Sequence, residues 1–155
     1  MKKAVLCFVI YKDQVLMINR NKPPFMGLWN ALGGKVKKGE SIFEAGAREV
    51  FEESGISLKP DSFTLLSNFT WNYDDELGYA LVCSLKEKDF EKVNYPQSLS
   101  EGIVDFKKID WVIDAKNYGV IPDLRVFISD IKNGEKHDYH LVYDNEKLIE
   151  VIKKN

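Results

Sequence analysis

Cysteine and histidine are scarce in this chain. Cys7 and Cys83 are the only two cysteines, and they stand far apart, outside any Cys-x-x-Cys spacing. That argues against a disulfide framework or a thiolate metal site, and both are expected to be buried, reduced residues of a cytoplasmic protein. His137 and His140 form His-x-x-His on a stretch with strand character. A spacing of three sends strand side chains to opposite faces, so no zinc pair is expected there. Long hydrophobic runs are missing as well. The first apolar stretch, residues 4–10, is interrupted by Tyr11-Lys12-Asp13 and is followed by no small-residue cleavage site. It is too short to span a membrane and reads as a first strand. Nor is there an excess of positive charge: the net charge is −2, which disfavours a nucleic acid polymer as partner. With no linker, repeat or biased tract, the 155 residues are expected to form one domain, 1–155, as a monomer or homodimer without membrane attachment.

What is present is concentrated in residues 34–56, GKVKKGESIFEAGAREVFEESGI. Glu49, Glu52 and Glu53 stand at relative positions 0, +3 and +4, just after a glycine-rich turn. On a helix turning about 100° per residue, these spacings gather three carboxylates on one stripe. Such mutual repulsion calls for a cation, and oxygen-only ligands favour a hard ion, Mg²⁺ or Mn²⁺. Ions of that kind accompany phosphates, so a small phosphorylated substrate is expected. Ser41 with Glu44 three residues on forms a capping-box pattern, and Gly55 marks the helix end. Arg48, four residues before Glu52, is placed to orient it. Phe43, Ala47, Val50 and Phe51 are expected to form the core-facing stripe opposite the carboxylates. The small Ala45 and Gly46 lie nearer the acidic side, as room for a ligand.

Written as a pattern, the segment is Gly34, five residues, Glu40, seven residues, then Arg48-Glu49-Val50-Phe51-Glu52-Glu53-Ser54-Gly55-Ile56. It resembles, at every fixed position, the loop–helix–loop signature of the Nudix hydrolases. The resemblance implies an enzyme that hydrolyses phosphoanhydrides. It also implies an α/β fold, an α/β/α sandwich around a mixed β-sheet. Positions matching the family's metal ligands are Glu49, Glu52, Glu53 and the backbone carbonyl of Gly33, with Glu52 and Glu53 foremost. Glu40 matches an isolated supporting glutamate. A further carboxylate from a later loop often assists in this family, and Glu101 is the candidate, with Asp74, Asp75 and Glu76 behind it.

Base recognition has to come from outside the helix. Trp29-Asn30-Ala31-Leu32-Gly33-Gly34-Lys35 resembles the WNxxGGK element of MutT-like enzymes acting on oxidised purine nucleoside triphosphates such as 8-oxo-dGTP. There the asparagine meets the purine, and an amide, which both donates and accepts, suits such an edge. That places Asn30 on the base, beside Trp29. Arg20 resembles a phosphate-chain cation, with Lys35 and Lys22 as further partners. Phe25, Phe69, Trp71 and Tyr79 are candidates for a stacking wall. Acidic base-reading residues are sought in residues 111–119, where only Asp114 and Asn117 offer themselves. The alternative substrates are ADP-ribose, a dinucleoside polyphosphate or another nucleoside diphosphate derivative; a third possibility is a nucleotide-binding module without turnover.

The remaining sequence reads as strands at 3–11, 15–19, 29–32, 62–72, 78–86 and 103–113, the last anchored by Phe106 and Trp111. Ile121-Pro122-Asp123 opens a second helix with Leu124, Phe127, Ile128 and Ile131 as its apolar face and Gly134 as its stop. A last strand at 137–143 and a short C-terminal helix are expected to follow.

Overall fold

β1 (Lys2–Tyr11) is apolar on both faces, because it lies in the middle of a sheet covered on both sides. Leu6 and Phe8 point into one core, and Cys7 and Val9 into the other. In the computed structural model, which describes residues 2–154, ten strands form one mixed sheet. The others are β2 (Gln14–Arg20), β3 (Trp29–Asn30), β4 (Leu32–Lys35), β5 (Thr64–Trp71), β6 (Glu76–Ser84), β7 (Gln97–Leu99), β8 (Gly102–Lys108), β9 (Tyr139–Asp144) and β10 (Lys147–Lys153). The main order is β10-β9-β5-β6-β1-β2-β8-β7. The helices are α1 (Ile42–Ser54), α2 (Glu87–Phe90), α3 (Ile109–Ile113) and α4 (Leu124–Asn133). α4 packs Leu124, Phe127 and Ile128 into one core with Phe8, Phe69 and Leu141. α1 packs Ala45 and Val50 into the other with Cys7, Leu16 and Leu81. The chain is therefore α/β, with helices on both faces of a mixed sheet.

The cleft arises from how β1 is flanked. On one side β6 runs parallel to it from Lys2 to Ile10. On the other, β2 pairs with β1 only at Ile10 and Tyr11, next to a hairpin turn in which Lys12 adopts φ 54. The two strands then diverge, and β4 takes over along Ala4–Cys7 while β3 pairs with Ile18 and Asn19 of β2. The wedge between β1 and β2 thus displays Asn30 and Gly33-Gly34 close together. Aromatic packing on the α4 side of the sheet supports it: Phe69 lies 4.8 Å from Phe127 and 4.9 Å, edge-on, from Trp71. Gly78 makes this possible, since a Cβ there would come within 2.5 Å of the Phe69 ring.

Two expected elements differ. The strand sought at 103–113 ends at Lys108, and Ile109–Ile113 form α3. Ile109, Val112 and Ile113 stand at i, i+3 and i+4, a helical spacing that buries Val112 and leaves Trp111 41% exposed. The expected C-terminal helix is instead β10, antiparallel to β9 beyond a turn with Asn145 at φ 56. Its short, β-branched sequence KLIEVIK is too brief for an independent helix, whereas pairing with β9 satisfies its backbone. No helix among the described residues is long and apolar enough to cross a membrane.

Candidate active site

The signature segment folds as its caps direct. The Ser41 hydroxyl accepts from the Glu44 amide, the Glu44 carboxylate accepts from the Ser41 amide, and Gly55 closes α1 at φ 81. The face that α1 buries is only partly the expected one. Val50 is buried and Phe43 and Ala47 pack against the same core, but the buried arc also takes in residues expected nearer the acidic side. Ala45, Gly46, Val50, Glu53 and Ser54 are buried, while Phe51 is 57% exposed. Glu53 lies within the buried arc. Gly46 provides room for the sheet rather than for a ligand: a Cβ there would stand 2.9 Å from Leu81 Cδ1 and 3.4 Å from Cys7 Sγ. Absence of that Cβ lets the helix lie close to β1 and β6 and carries Glu53 down to β4.

At β4 the Gly33 amide donates to Glu53 Oε1 at 2.8 Å. The Glu49 carboxylate occupies the space where a Cβ on Gly34 would lie, 2.5 Å away. The two glycines thus seat one carboxylate each. Arg48 bridges the group from above. Its Nε and Nη2 donate to both oxygens of Glu40, at 2.7 and 2.9 Å, and Nη1 donates to Glu49 Oε1 at 2.8 Å. Glu52 lies further away, 3.4 Å from Nη1, with its side chain 49% exposed. The main partners of Arg48 are therefore Glu40 and Glu49, a correction to the expected pairing with Glu52. A planar fork meets a carboxylate with two parallel bonds, whereas Glu52 is reached only by the leftover edge. Glu40 is also fixed by the Lys37 amide at 2.9 Å, and Arg48 holds its carboxyl down at about 2.

The electrostatics of the rest run the other way. Burial raises Glu53 to about 9, and the charges of Glu101 and Glu49 and a hydrogen bond with Glu101 add to the rise. Glu49 is raised by burial and by the charges of Glu52 and Glu101, with Arg48 opposing. Glu101 thus comes from the β7–β8 turn to the carboxylates of α1. Asn21 ties that turn to the β2 end, its amide donating to the Glu101 carbonyl at 3.2 Å and its side chain to the Ser100 carbonyl at 3.1 Å. Tyr95 Oη, donating to the Ser54 carbonyl at 2.6 Å, anchors the same segment to the end of α1.

Glu53, Gly33 and Gly34 form one end of a cleft of about 240 Å³. Asn30, Arg20, Phe25, Phe69 and Trp71 also line it, as do Tyr73, Tyr143 and Asp123. Trp71 and Tyr73 are 5.8 Å apart, Tyr73 and Tyr143 5.9 Å, and Tyr143 and Phe25 6.2 Å, a continuous aromatic wall. Trp29 is outside the lining: its ring lies under Lys107 Nζ at 4.4 Å, and its backbone pairs with β2. Lys35 is also outside, 70% exposed and 3.7 Å from Glu76. Tyr79 packs against the α1-side core, on the other face of the sheet from the cleft aromatics. Arg20 Nε is held by the Pro24 carbonyl at 2.8 Å.

Sequence reasoning missed Asp123. Asp114 and Asn117 are occupied in their own loop, capping the Lys116 and Gly119 amides. The acid in the cleft lies further on, at the N-cap of α4, yet its side chain caps nothing. It is only 6% exposed, and burial raises it to about 6. Tyr143 and Trp71 lie near enough to favour its charged form, although the Tyr143 hydroxyl makes no well-formed hydrogen bond. The available signal was its position immediately before the helix, where it passes for an ordinary cap. Glu76, expected in a solvated turn, is instead buried with Oε2 lacking a hydrogen-bond partner.

A second group of ligand types, Asp130, Glu135 and His137, has its ligand atoms within 4.8 Å of one another at the end of α4. Asp130 already accepts from Tyr139 Oη at 2.5 Å, so the group serves as a tie between α4 and β9. His140 is separate from it, its Nδ1 2.7 Å from Thr70 Oγ1.

With a buried, glycine-seated carboxylate cluster at the end of an aromatic cleft, the geometry is that of a phosphate-processing site. The NUDIX domain profile matches residues 1–124, and the chain belongs to that family. Members of the family generally use a divalent metal. The chain is 33% identical over 75 residues to an oxidized purine nucleoside triphosphate hydrolase of Danio rerio, covering 48% of this chain and 47% of that protein. It is 42% identical over 60 residues to the 8-oxo-dGDP phosphatase NUDT18 of Homo sapiens, covering 39% of this chain and 18% of that one. The chain thus spans less than half the length of these curated relatives. Among solved structures, a MutT protein from Bacillus halodurans superposes with a TM-score of 0.75 at 24% identity, covering 99% of this chain and 98% of that one. That likeness establishes the fold.

Proposed function

We propose that the protein is a Mg²⁺-dependent hydrolase of a nucleoside triphosphate, releasing the monophosphate and pyrophosphate. An oxidised purine such as 8-oxo-dGTP is its favoured base, so that it clears damaged nucleotides. The observation that carries this reading is continuity: one cleft runs from Glu53 and the two glycines to Asn30, Asp123 and the aromatic wall. The relatives named for oxidised purine nucleotides support the choice of base. We take the chain as one catalytic unit, because β9, beyond the matched residues, contributes Tyr143 to the cleft.

The donors suit a hard divalent ion. They are all oxygens, chiefly carboxylate, and Glu49 and Glu53 are raised by burial and by neighbouring carboxylates, with Arg48 as the cation adjacent to Glu49. Glu49, Glu52 and Glu53 would hold Mg²⁺ or Mn²⁺, with Glu101 as the further carboxylate and the Gly33 carbonyl as a backbone candidate. When bound, such an ion polarises phosphoryl oxygens and acidifies water. The Gly33 amide keeps Glu53 in place, and Arg48 keeps Glu49 and Glu40 together. Glu101, where it is not a ligand, would take the proton of the attacking water. Water oxygen bonds to phosphorus, the anhydride P–O bond breaks, and its electron pair leaves with pyrophosphate. Arg20, whose Nε is held by Pro24, presents its remaining N–H groups to the phosphate chain. Asn30 and Asp123 read the base edge. An amide and a carboxyl with a pKa of about 6, lining the same cleft, offer both donors and acceptors.

The test is a substrate panel with Mg²⁺ comparing 8-oxo-dGTP, the normal dNTPs, 8-oxo-dGDP, ADP-ribose and diadenosine polyphosphates, repeated with Glu52→Gln. Turnover should favour 8-oxo-dGTP, vanish in excess EDTA and fall about 100-fold or more in the variant, whose exposed position leaves folding intact. Unchanged turnover in EDTA or in Glu52→Gln sinks the mechanism. Binding without turnover identifies a non-catalytic module, and preference for another panel member replaces the base assignment.

A further inference from the structure

The loop from β2 to β3 rims the cleft with Pro24 and Phe25. Part of it is tied to its own base. The Gly27 amide donates to the Arg20 carbonyl at 2.7 Å, the Leu28 amide to the Phe25 carbonyl at 3.1 Å, and Asn19 Nδ2 to the Gly27 carbonyl at 3.0 Å. The Phe25 amide goes elsewhere. It donates to Glu146 Oε2 at 3.1 Å, across 121 residues of sequence, in the turn between β9 and β10. Phe25 also adopts φ 59, a left-handed backbone that is uncommon for a bulky side chain and persists where the surroundings hold it. The β9–β10 hairpin meets this residue at both ends: Glu146 takes the amide, and the Tyr143 ring stands edge-on to the Phe25 ring at 6.2 Å.

The hairpin is a firm anchor for that grip. Asn72, just past β5, donates from Nδ2 to the Tyr143 carbonyl at 2.9 Å and accepts the Tyr143 amide at 2.8 Å. One side chain thereby extends the parallel pairing of β5 with β9, and Tyr143 is held in the cleft wall. In the sheet, β5, β6 and β1 separate β9 from β2. The turn after β9 nevertheless reaches the loop after β2. The contact therefore arches over the strands that supply Leu6, Phe69 and Trp71 to the cleft, and it joins the cleft's two rims. A carboxylate acceptor suits an exposed clasp, because a charge-assisted hydrogen bond competes with water better than a neutral one. Glu146 lies beyond residues 1–124, the segment matched by the family profile.

We propose that Glu146 is a positioning residue for the nucleotide: its carboxylate clasps the β2–β3 loop to the β9–β10 hairpin and so sets the Phe25 ring against the bound base. The inference rests on the hydrolase reading above for the occupant of the cleft, but the clasp itself is measurable without turnover. Amide hydrogen exchange should show the Phe25 amide opening about tenfold faster in Glu146→Ala, with amides of α1 and β1 within about twofold of wild type. Glu146→Gln, whose amide oxygen still accepts, should fall between the two. With Mg²⁺ and 8-oxo-dGTP, Glu146→Ala should raise KM roughly five- to tenfold and leave kcat within about twofold, because the carboxylates of α1 are untouched. Glu146→Gln should recover most of that loss. Inorganic tripolyphosphate has no base for Phe25 to hold, so its inhibition constant should stay within about twofold in both variants. Lys147→Ala, in the residue after Glu146, should match wild type throughout and so separates the clasp from damage to the hairpin. A Phe25 amide that keeps its wild-type exchange rate in Glu146→Ala overturns the proposal. So does a loosened amide with unchanged KM, or an equal loss on tripolyphosphate. Turnover intact with wild-type KM in Glu146→Ala keeps the hydrolase and removes the clasp. A wild type without turnover, whose nucleotide binding in EDTA weakens in Glu146→Ala, loses the hydrolase reading and keeps the clasp.

Discussion

Replacing Asp123 with asparagine should stabilise the protein, and do so more at alkaline than at acid pH. Asp123 is 6% exposed, and its carboxyl is raised from 3.8 to about 6, chiefly by burial. A carboxyl whose folded pKa exceeds its unfolded one binds its proton more tightly when folded. It therefore costs no stability below the ordinary carboxylate range, an increasing amount between about pH 4 and 6, and the full amount above. At about 1.36 kcal/mol per pKa unit, the full cost is on the order of 3 kcal/mol. Asparagine removes the charge but puts an amide NH₂ where a carboxyl oxygen stood beside Tyr143 and Trp71, a polar mismatch that is a loss of about 1 kcal/mol against the gain. That loss is the same at every pH, so the difference between two pH values isolates the carboxyl. Between pH 5 and pH 8 the advantage of Asp123→Asn over wild type should grow by about 1 kcal/mol, or a further 2–4 °C in Tm. Parallel thermal unfolding of both proteins at the two pH values provides the check. An advantage that does not change with pH would refute a carboxylate held out of water in the cleft. The same variant should lose selectivity among purine triphosphates while gaining stability, as expected of a residue strained for binding.

Gly34→Ala places a Cβ 2.5 Å from the Glu49 carboxylate, so metal affinity should fall about tenfold or more while secondary structure is retained. Titrating activity with Mg²⁺ tests this. Arg48→Lys keeps the charge but cannot grip Glu40 at both oxygens; a 10–100-fold rise in the Mg²⁺ requirement is expected, with a loss of about 1–3 kcal/mol in urea unfolding. An unchanged Mg²⁺ midpoint would reduce Arg48 to a surface ion pair. Ser41→Ala removes the hydroxyl that caps α1 and should cost about 1 kcal/mol by the same assay, with Ser41→Asp restoring most of it.

The chain by itself determined the reactive helix: its caps, its carboxylate spacing, the two glycines before it and the family it belongs to. These are local features, encoded within a few turns of chain, and so are the first hairpin and the apolar face of α4. The exposed and buried sides of α1 were not local. Phe51 is the larger hydrophobe, but Gly46 allows the closer approach to β1 and β6, and close packing of helix on sheet decided which side went in. The C-terminal strand likewise depended on β9 as a partner. Partners distant in sequence were decided only by the tertiary structure. Glu101 reaches Glu53 because the β7–β8 turn and the segment before it are tied to Asn21 and Ser54, and Asp123 joins Asn30 in the lining of one cleft, beside the wedge opened by the divergence of β1 and β2. A carboxyl at a helix start reads as a cap in any sequence; only the surrounding Trp71 and Tyr143 make it a buried group in a cleft. Spacing along one helix carries the chemistry of cleavage, whereas base recognition is assembled from separate strands and loops, whose meeting depends on the packing of the whole sheet.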